Sequence, residues 1–124
     1  MTDKTKRIIY WVLTGLVSLI FIGSAMGKLS GSADGVKMAA EFGIGATAFT
    51  IIGIVELIAV ILFIIPRTGI LGTLLLAAYM GGAIATHVEH NQSIMAPAVV
   101  AAFVWIVAVL RFPELTLRIS GKKQ

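Results

Sequence analysis

Glu56 is the residue of this sequence with the clearest chemical significance, because it is the one charged residue in an apolar stretch from 44 to 65. A carboxyl group at the centre of a membrane helix costs about 2.5–3.5 kcal/mol on insertion scales, whereas each Leu or Ile favours insertion by about 0.3–0.6 kcal/mol. The helix can therefore insert, but the Glu56 carboxyl group must face other helices, be protonated or be paired. It is suited either to proton transfer and ligand binding or to one structural hydrogen bond across helices.

Lys28 is the second candidate, and it follows the first apolar stretch of the sequence. On a helical wheel it lies on one line with Ala25, Phe21, Ser18 and Thr14, which form a slightly polar stripe. A lysine there is suited to stabilise a developing anion on a ligand, or it extends to the membrane interface as terminal lysines commonly do. We predict Lys28 and Ser18 as ligand-binding residues.

Three further candidates lie in the third apolar stretch. His87 and His90 lie at its end, where an imidazole can titrate in contact with water, and Tyr79 lies in its middle and needs a hydrogen-bond partner. We expect Glu56 and His87 to relay protons or to bond the oxygens of a ligand head group, and Tyr79 and His90 to bind the ligand. In the alternative interpretation the histidines are solvated and the tyrosine is structural.

The counts of metal-ligating and thiol residues limit the chemistry. The sequence has no cysteine and two histidines. Without cysteine the chain cannot perform thiol–disulfide exchange, hold an iron–sulfur cluster or bind zinc through thiolates. Two histidines are too few for a zinc site, which needs three or four ligands. We therefore predict no metal site and no covalent cofactor, and electrons for a redox reaction would have to come from a protein partner.

Composition indicates the environment of these residues. Hydrophobic residues make up 58% of the 124 residues and charged residues 13%, whereas soluble domains average about 45–50% and about 25%. A chain this apolar is not an ordinary soluble enzyme, a nucleic-acid-binding domain or a disordered tail. The net charge of +4 does not indicate a nucleic-acid partner either, because the basic residues lie at segment ends rather than along one face. The lipid bilayer is the predicted environment.

Four apolar stretches, each close to the about 20 residues that span a bilayer, carry the candidates. They are roughly twice as long as a barrel strand and continuously apolar, so they are helices. The first is longer than the about 7–15 apolar residues of a signal peptide, and we expect it to be a membrane helix. We predict an all-α polytopic membrane protein, a four-transmembrane-helix antiparallel bundle in one domain over 1–124, with helices at 8–26, 44–65, 69–88 and 94–110.

Two shorter segments, 36–42 and 113–120, are predicted to be interfacial helices, and Asp34 is the expected N-cap of the first. Gly23 and Gly27 form a small-xxx-small pair, which suits close packing within the monomer or in a homo-oligomer.

The distribution of Lys and Arg predicts the orientation. If the amino terminus is cytoplasmic, Lys28 and Lys37 lie outside and the other eight of the ten basic residues lie inside, so the positive-inside rule places both termini in the cytoplasm. Glu56 then lies roughly 10–18 Å below the external surface, at 1.5 Å per residue. Direct pairing with Lys28 or His87 would require a sunken external end or a long side-chain reach, and a water-filled or ligand-filled cavity that opens outward would satisfy all three residues. The cytoplasmic residues in this scheme are Lys4, Lys6, Arg7, Arg67, Arg111, Arg118, Lys122 and Lys123.

Several short motifs resemble those of a known family: GSAMGKL at 23–29, GIVEL at 53–57, Pro66-Arg67 in the turn, and YMGGAIATH at 79–87. In order and spacing, over nearly the whole chain, they are similar to the DoxX-like integral membrane proteins. The resemblance implies a small four-helix protein of the bacterial inner membrane. Some relatives are subunits of a thiosulfate:quinone oxidoreductase, and others join membrane oxidoreductase assemblies. By similarity, Lys28, Glu56 and His87 are the residues carried over, whereas thiol chemistry is not, because this chain lacks cysteine.

The leading hypothesis is a redox-associated membrane protein that binds a quinone or similar lipid non-covalently among its helices, as a subunit of a membrane oxidoreductase system. Whether the chain is itself an enzyme is left open. The rival hypothesis is a non-catalytic assembly or chaperone module in which Glu56, Lys28 and His87 fix helix packing. A third is a small proton-coupled transporter with Glu56 as the carrier, although the sequence shows no broken helix or inverted repeat to support it.

Overall fold

The computed structural model describes residues 2–122, which form six α-helices and one 3-10 turn and contain no β-strand. The prediction of an all-α polytopic membrane fold is confirmed. The helices are α1 (Asp3–Leu29), α2 (Ala33–Glu41), α3 (Ala46–Ile64), α4 (Gly69–Glu89), α5 (Met95–Arg111) and α6 (Pro113–Ile119), and the 3-10 turn is Pro66–Thr68 between α3 and α4.

Three of these helices, α1, α3 and α4, are long and apolar enough to cross a membrane. Helix α5 has 17 residues and continues after a bend of 107° into α6, and this pair passes the same test together. The described residues therefore contain three candidate spans, or four when α5 and α6 count as one. The faces that point away from the bundle carry large exposed side chains such as Leu19, Ile58 and Leu74, as lipid-facing surfaces do.

The four long helices pack side by side in a ring, because α1 contacts α3 and α5, and α4 contacts α3 and α5. Val17, Val60, Leu76 and Val104, one from each helix, are fully buried at its centre. A Cβ atom at Gly72 of α4 would overlap the backbone of Phe63 in α3. The absence of a side chain at Gly72 therefore lets α3 and α4 run close together beyond their tight connection.

The topology defines two ends of the bundle. The basic end contains the start of α1, the 3-10 turn and the junction of α5 with α6; the α2 end contains the end of α1, α2 and the α4–α5 connection. Of the residues counted for orientation, Lys123 lies outside the described residues.

The helix bounds differ from the expected ones where capping decides them. Helix α1 begins at Asp3 because the Thr2 hydroxyl accepts a hydrogen bond from the Thr5 amide. The N-cap of α2 is Ser32, whose hydroxyl accepts from the Gly35 amide at 3.1 Å. The expectation for Asp34 was wrong because serine precedes it at the true helix start, and Asp34 lies in the first turn instead.

Helix α2 is set close against the end of α1. A Cβ atom at Gly35 would lie 2.6 Å from the carbonyl oxygen of Gly27, so α2 can approach α1 this closely only with glycine at that position. Gly31 and Gly43, on either side of α2, have φ angles of 65° and 64°, a left-handed conformation that favours glycine. These three glycines hold α2 across the α2 end of the bundle.

Candidate functional site: a polar cluster beside an apolar cavity

Glu56 is 1% exposed and pairs with Lys28 across the α1–α3 interface, with 3.0 Å between Lys28 Nζ and Glu56 Oε1. The side chain of Lys28 is 9% exposed. A Cβ atom at Gly53, one turn before Glu56, would lie 2.9 Å from the Cβ of Lys28. Glycine at this position therefore lets the two helices come close enough for the lysine to reach down to the carboxylate. Glu56 thus faces the bundle and is paired, two of the alternatives that its sequence position allowed.

Ser24 completes this cluster, and the sequence analysis missed it. Lys28 Nζ donates to Ser24 Oγ at 2.5 Å, and Ser24 Oγ donates to Glu56 Oε1 at 3.1 Å. Ser24 lies four residues before Lys28 and therefore one turn earlier on the same helical face. On the helical wheel it lies on the opposite side of Lys28 from Ser18. The i, i+4 spacing of Ser24 and Lys28 was the signal in the sequence that could have identified Ser24.

The cluster lies beside a cavity of about 470 Å³ that is lined by α1, α3, α4, α5 and the segment of α2. This volume falls within the range of pockets that hold small organic ligands, about 300–1,000 Å³. Most of its wall is apolar, including Phe21, Phe49, Met80 and Val100. Its polar lining residues are Ser24, Lys28, Glu56, Tyr79, Thr86 and His87.

Tyr79 lies at the cluster. Its ring is 5.8 Å from Lys28 Nζ and packs edge-on against Phe21, with 6.2 Å between ring centroids. Its phenol group comes close to both Glu56 and Ser24. The ring of Phe49 lies 5.7 Å from the same ammonium group, so the cation of Lys28 contacts two aromatic rings as well as the carboxylate.

His87 lines the cavity about 12 Å further along α4, at 1.5 Å for each of the residues after Tyr79. Its Nδ1 lies 2.6 Å from the carbonyl oxygen of Ala83. A carbonyl oxygen only accepts, so Nδ1 carries the hydrogen and donates it. The Nε2 atom lies on the opposite side of the ring, away from the backbone of its own helix.

His90 does not line the cavity. Its Nδ1 donates to the carbonyl oxygen of Thr86 at 2.9 Å, and its ring meets the ring of Phe42 edge-on at 5.6 Å. Phe42 also lies 5.0 Å from the ring of His87, and together with Met38 it forms the cavity wall contributed by the α2 segment. His90 therefore supports the aromatic wall instead of touching the cavity.

Ser18 does not line the cavity either. It is 5% exposed, and its hydroxyl oxygen has no hydrogen-bond partner among the described residues. It lies in α1 nearer to the basic end than Ser24, beside the apolar core residue Val17. The structure therefore groups Lys28, Glu56, Tyr79 and His87 around one cavity and leaves Ser18 and His90 outside it.

Arg111 is a third charged residue inside the bundle, although the sequence analysis counted it among the residues on the cytoplasmic side. It is 7% exposed at the basic end. Its Nη1 and Nη2 atoms donate to the carbonyl oxygens of Phe63 and Ile64, each at 2.6 Å. The guanidinium carbon lies 4.4 Å from the ring centroid of Trp11 and 4.9 Å from that of Phe112. These carbonyl groups end α3, so Arg111 caps that helix.

Within residues 2–122, no three His, Asp or Glu side chains are close enough together to hold a metal ion.

Comparison with known protein families gives a match over most of the chain. The model of the DoxX-like family matches residues 12–109, which include the whole polar cluster, Tyr79 and His87. No curated protein and no solved structure matches the chain.

Proposed function

The chain belongs to the DoxX-like family, and we propose that it binds a quinone or a similar lipid among its helices as a subunit of a membrane oxidoreductase system. The observation that carries the proposal is the cavity of about 470 Å³ in which an apolar wall surrounds a few polar side chains. An isoprenoid or alkyl tail suits such a wall, and a small polar ring suits the polar groups. Ionisable residues inside a membrane bundle commonly mark a ligand or proton pathway.

The polar residues take different roles in this proposal. Glu56 and His87 bond the head group of the ligand or exchange protons with it, and Tyr79 contacts it between them. Lys28 balances the charge of the Glu56 carboxylate and holds it in place. One N–H group of Lys28 donates to Ser24 and a second donates to Glu56. Its remaining N–H group is available to an anion that develops on the ligand. Electrons reach the ligand from a protein partner.

The setting of this function is the inner membrane of a bacterium, with both termini in the cytoplasm. The basic end holds the basic residues at the start of α1, in the 3-10 turn and in α6, which supports this orientation through the positive-inside rule. Because the sequence has no cysteine, single cysteines introduced at Lys37 and at Arg118 can be labelled without background in intact cells. Labelling of the Lys37 position from outside is the expected result, and labelling of the Arg118 position would overturn the orientation.

Purification in a mild detergent tests the binding proposal. We expect native mass spectrometry and solvent extraction to find a quinone bound to the protein, and added short-tailed benzoquinone to raise its thermal midpoint. Glu56→Gln should reduce the bound quinone while the bundle stays folded, because glutamine still accepts from Ser24 and the Lys28 ammonium can extend to the interface. Glu89→Gln, at an exposed position in α4, is the matched control and should retain the quinone. Protein that carries neither a quinone nor its hydroquinone, and that gains no stability from either when it is added, would refute the proposal.

The assembly-module hypothesis has one observation in its favour. Glu56, Lys28 and Ser24 bond one another across the α1–α3 interface, as residues that only fix helix packing would. In that case Glu56→Gln would lower the thermal midpoint of the protein and have no effect on ligand binding. The same purified variants therefore separate the two hypotheses, because only one predicts a ligand-dependent difference.

A further inference from the structure

We infer that the cavity selects the reduced, dihydroxy form of a quinone, the hydroquinone, over the oxidised quinone. The inference rests on the proposed function and concerns the oxidation state of the ligand. A quinone presents two carbonyl oxygens, which only accept hydrogen bonds, whereas a hydroquinone presents two hydroxyl groups, which donate. The hydrogen-bonding capacity left free on the cavity wall therefore decides which form fits.

Glu56 presents an acceptor. Both hydrogen bonds that it receives within the described residues, from Ser24 and from Lys28, end on Oε1. The carboxylate is held as an ion pair with Lys28 at 3.0 Å, so it has no hydrogen to give. Its second oxygen, Oε2, is free to accept a hydrogen bond. The Tyr79 hydroxyl lines the same cavity and can either accept or donate.

The other end of the cavity also presents acceptors. The His87 Nδ1 hydrogen is donated to Ala83, so in the neutral imidazole Nε2 carries a lone pair and accepts. The Thr86 hydroxyl donates to the carbonyl oxygen of Gly82 at 2.8 Å, which likewise leaves its lone pairs free. Each of these two residues gives its hydrogen to the backbone one turn earlier in α4 and offers an acceptor to the cavity.

The donors of the cavity are largely used within the protein. Ser24 gives its hydrogen to Glu56, and Lys28 gives one N–H to Ser24 and one to Glu56. What remains is one N–H of Lys28, whose ammonium group lies beside the rings of Phe49 and Tyr79, and the O–H of Tyr79 itself. Both donors lie near Glu56, whereas Thr86 and neutral His87 have no hydrogen left to give. A bound quinone would therefore leave its carbonyl oxygen at the His87 end without a donor, whereas a hydroquinone finds an acceptor at each end. A buried polar group without a partner lowers affinity, so the two forms bind unequally.

Binding of a matched set of ligands to the purified protein under anaerobic conditions tests the inference. The set has one ring and one short alkyl tail: the benzohydroquinone, the benzoquinone and the dimethyl ether of the hydroquinone, which has no hydrogen to donate. We expect the hydroquinone to bind at least about tenfold more tightly than either of the others. A tenfold preference for the reduced form raises the midpoint potential of the bound two-electron couple by about 30 mV.

Equal binding of quinone and hydroquinone, or tighter binding of the quinone, would overturn the inference and leave the proposed function standing. Binding of none of the three would refute both. Tight binding of the dimethyl ether would show that the ring and tail alone determine affinity, which also overturns the inference.

Variants assign the preference to the acceptors. His87→Phe keeps an aromatic ring and removes the Nε2 lone pair, so the preference for the hydroquinone should fall severalfold while the thermal midpoint stays close to that of the unchanged protein. Glu56→Gln replaces an acceptor oxygen by an amide that can donate, so the preference should shift towards the quinone. Glu89→Gln, exposed and away from the cavity, should leave the preference as it is. An undiminished preference in both His87→Phe and Glu56→Gln would contradict the inference.

Discussion

Lys28 and Arg111 are both cations in the last turn of a membrane helix, at opposite ends of the bundle, and their surroundings differ. Arg111 donates to two backbone carbonyl oxygens and contacts the rings of Trp11 and Phe112. Lys28 pairs with the Glu56 carboxylate on the wall of the cavity. The site of Arg111 is filled by protein, whereas the site of Lys28 is open on one side.

The difference separates a structural charge from a candidate functional one. The Arg111 guanidinium binds two acceptors of the fold, the carbonyl groups that end α3, and its planar shape suits both at once. The Lys28–Glu56 pair instead leaves one carboxylate oxygen unused beside an apolar cavity. A buried ion pair adds little net stability once its desolvation is counted, so the open site is the one at which we propose that a ligand binds.

Removal of Lys28 should have the largest effect on stability. Lys28→Met leaves the Glu56 carboxylate, which is 1% exposed, without its cation inside the bundle, and we expect the free energy of unfolding to fall by about 3–5 kcal/mol. The double variant Lys28→Met with Glu56→Gln should recover most of the loss, because an apolar replacement of a buried pair is often neutral. Unfolding in mixed detergent micelles measures both. Lys37→Met, exposed on α2, is the control, and a double variant as unstable as the single one would contradict the ion-pair interpretation.

Removal of Arg111 should lower the free energy of unfolding somewhat less than removal of Lys28. No second substitution should restore the stability in the way that Glu56→Gln is expected to do for Lys28→Met. Arg111→Met leaves the Phe63 and Ile64 carbonyl oxygens without donors, and we expect a loss of about 2–4 kcal/mol. Arg111→Lys should recover only part of it, because an ammonium group lacks the planar fork of a guanidinium. Ligand affinity at the cavity should not change. The same unfolding assay applies, with Arg118→Met as the exposed control; full stability in Arg111→Met would show that the capping contacts are dispensable.

The smallest expected effect is that of Ser24. Ser24→Ala removes one bridging hydroxyl and leaves the direct contact between Lys28 and Glu56, so the stability should fall by about 0.5–1.5 kcal/mol. Ser30→Ala, exposed just after α1, should change nothing in the same assay. A loss of stability as large as that of Lys28→Met would mean that the ion pair between Lys28 and Glu56 depends on Ser24. The site of Lys28 would then tolerate substitution less well than its open cavity indicates.

The sequence was sufficient to predict the fold class and the central residue of the site for physical reasons. Long apolar stretches of this length predict helices, because in lipid the backbone N–H and C=O groups of such a stretch must form hydrogen bonds with one another. Glu56 could be recognised because it is the one charged residue in its stretch. Tyr79 could be proposed because a tyrosine in mid-membrane needs a hydrogen-bond partner, and His87 because of its place at the helix end and the family resemblance.

The pairing and the missed residues depend on contacts that no local pattern encodes. Lys28 reaches Glu56 because Gly53 lets α1 approach α3, which the sequence alone does not show. Ser18 and His90 have suitable chemistry, but Ser18 lies beside the core residue Val17 and His90 packs against Phe42, and neither lines the cavity. Arg111 lies at a helix end, where basic residues are normally at the surface, and its acceptors lie more than 40 residues earlier in the sequence.

The contact of Arg111 with the end of α3 has a consequence for the biogenesis of the protein. The ribosome makes Phe63 and Ile64 before it makes α4 and α5, so their carbonyl groups cannot receive the guanidinium until Arg111 has been synthesised. Until then the end of α3 lacks these two donors. The cap of α3 therefore forms only after all four long helices have been made.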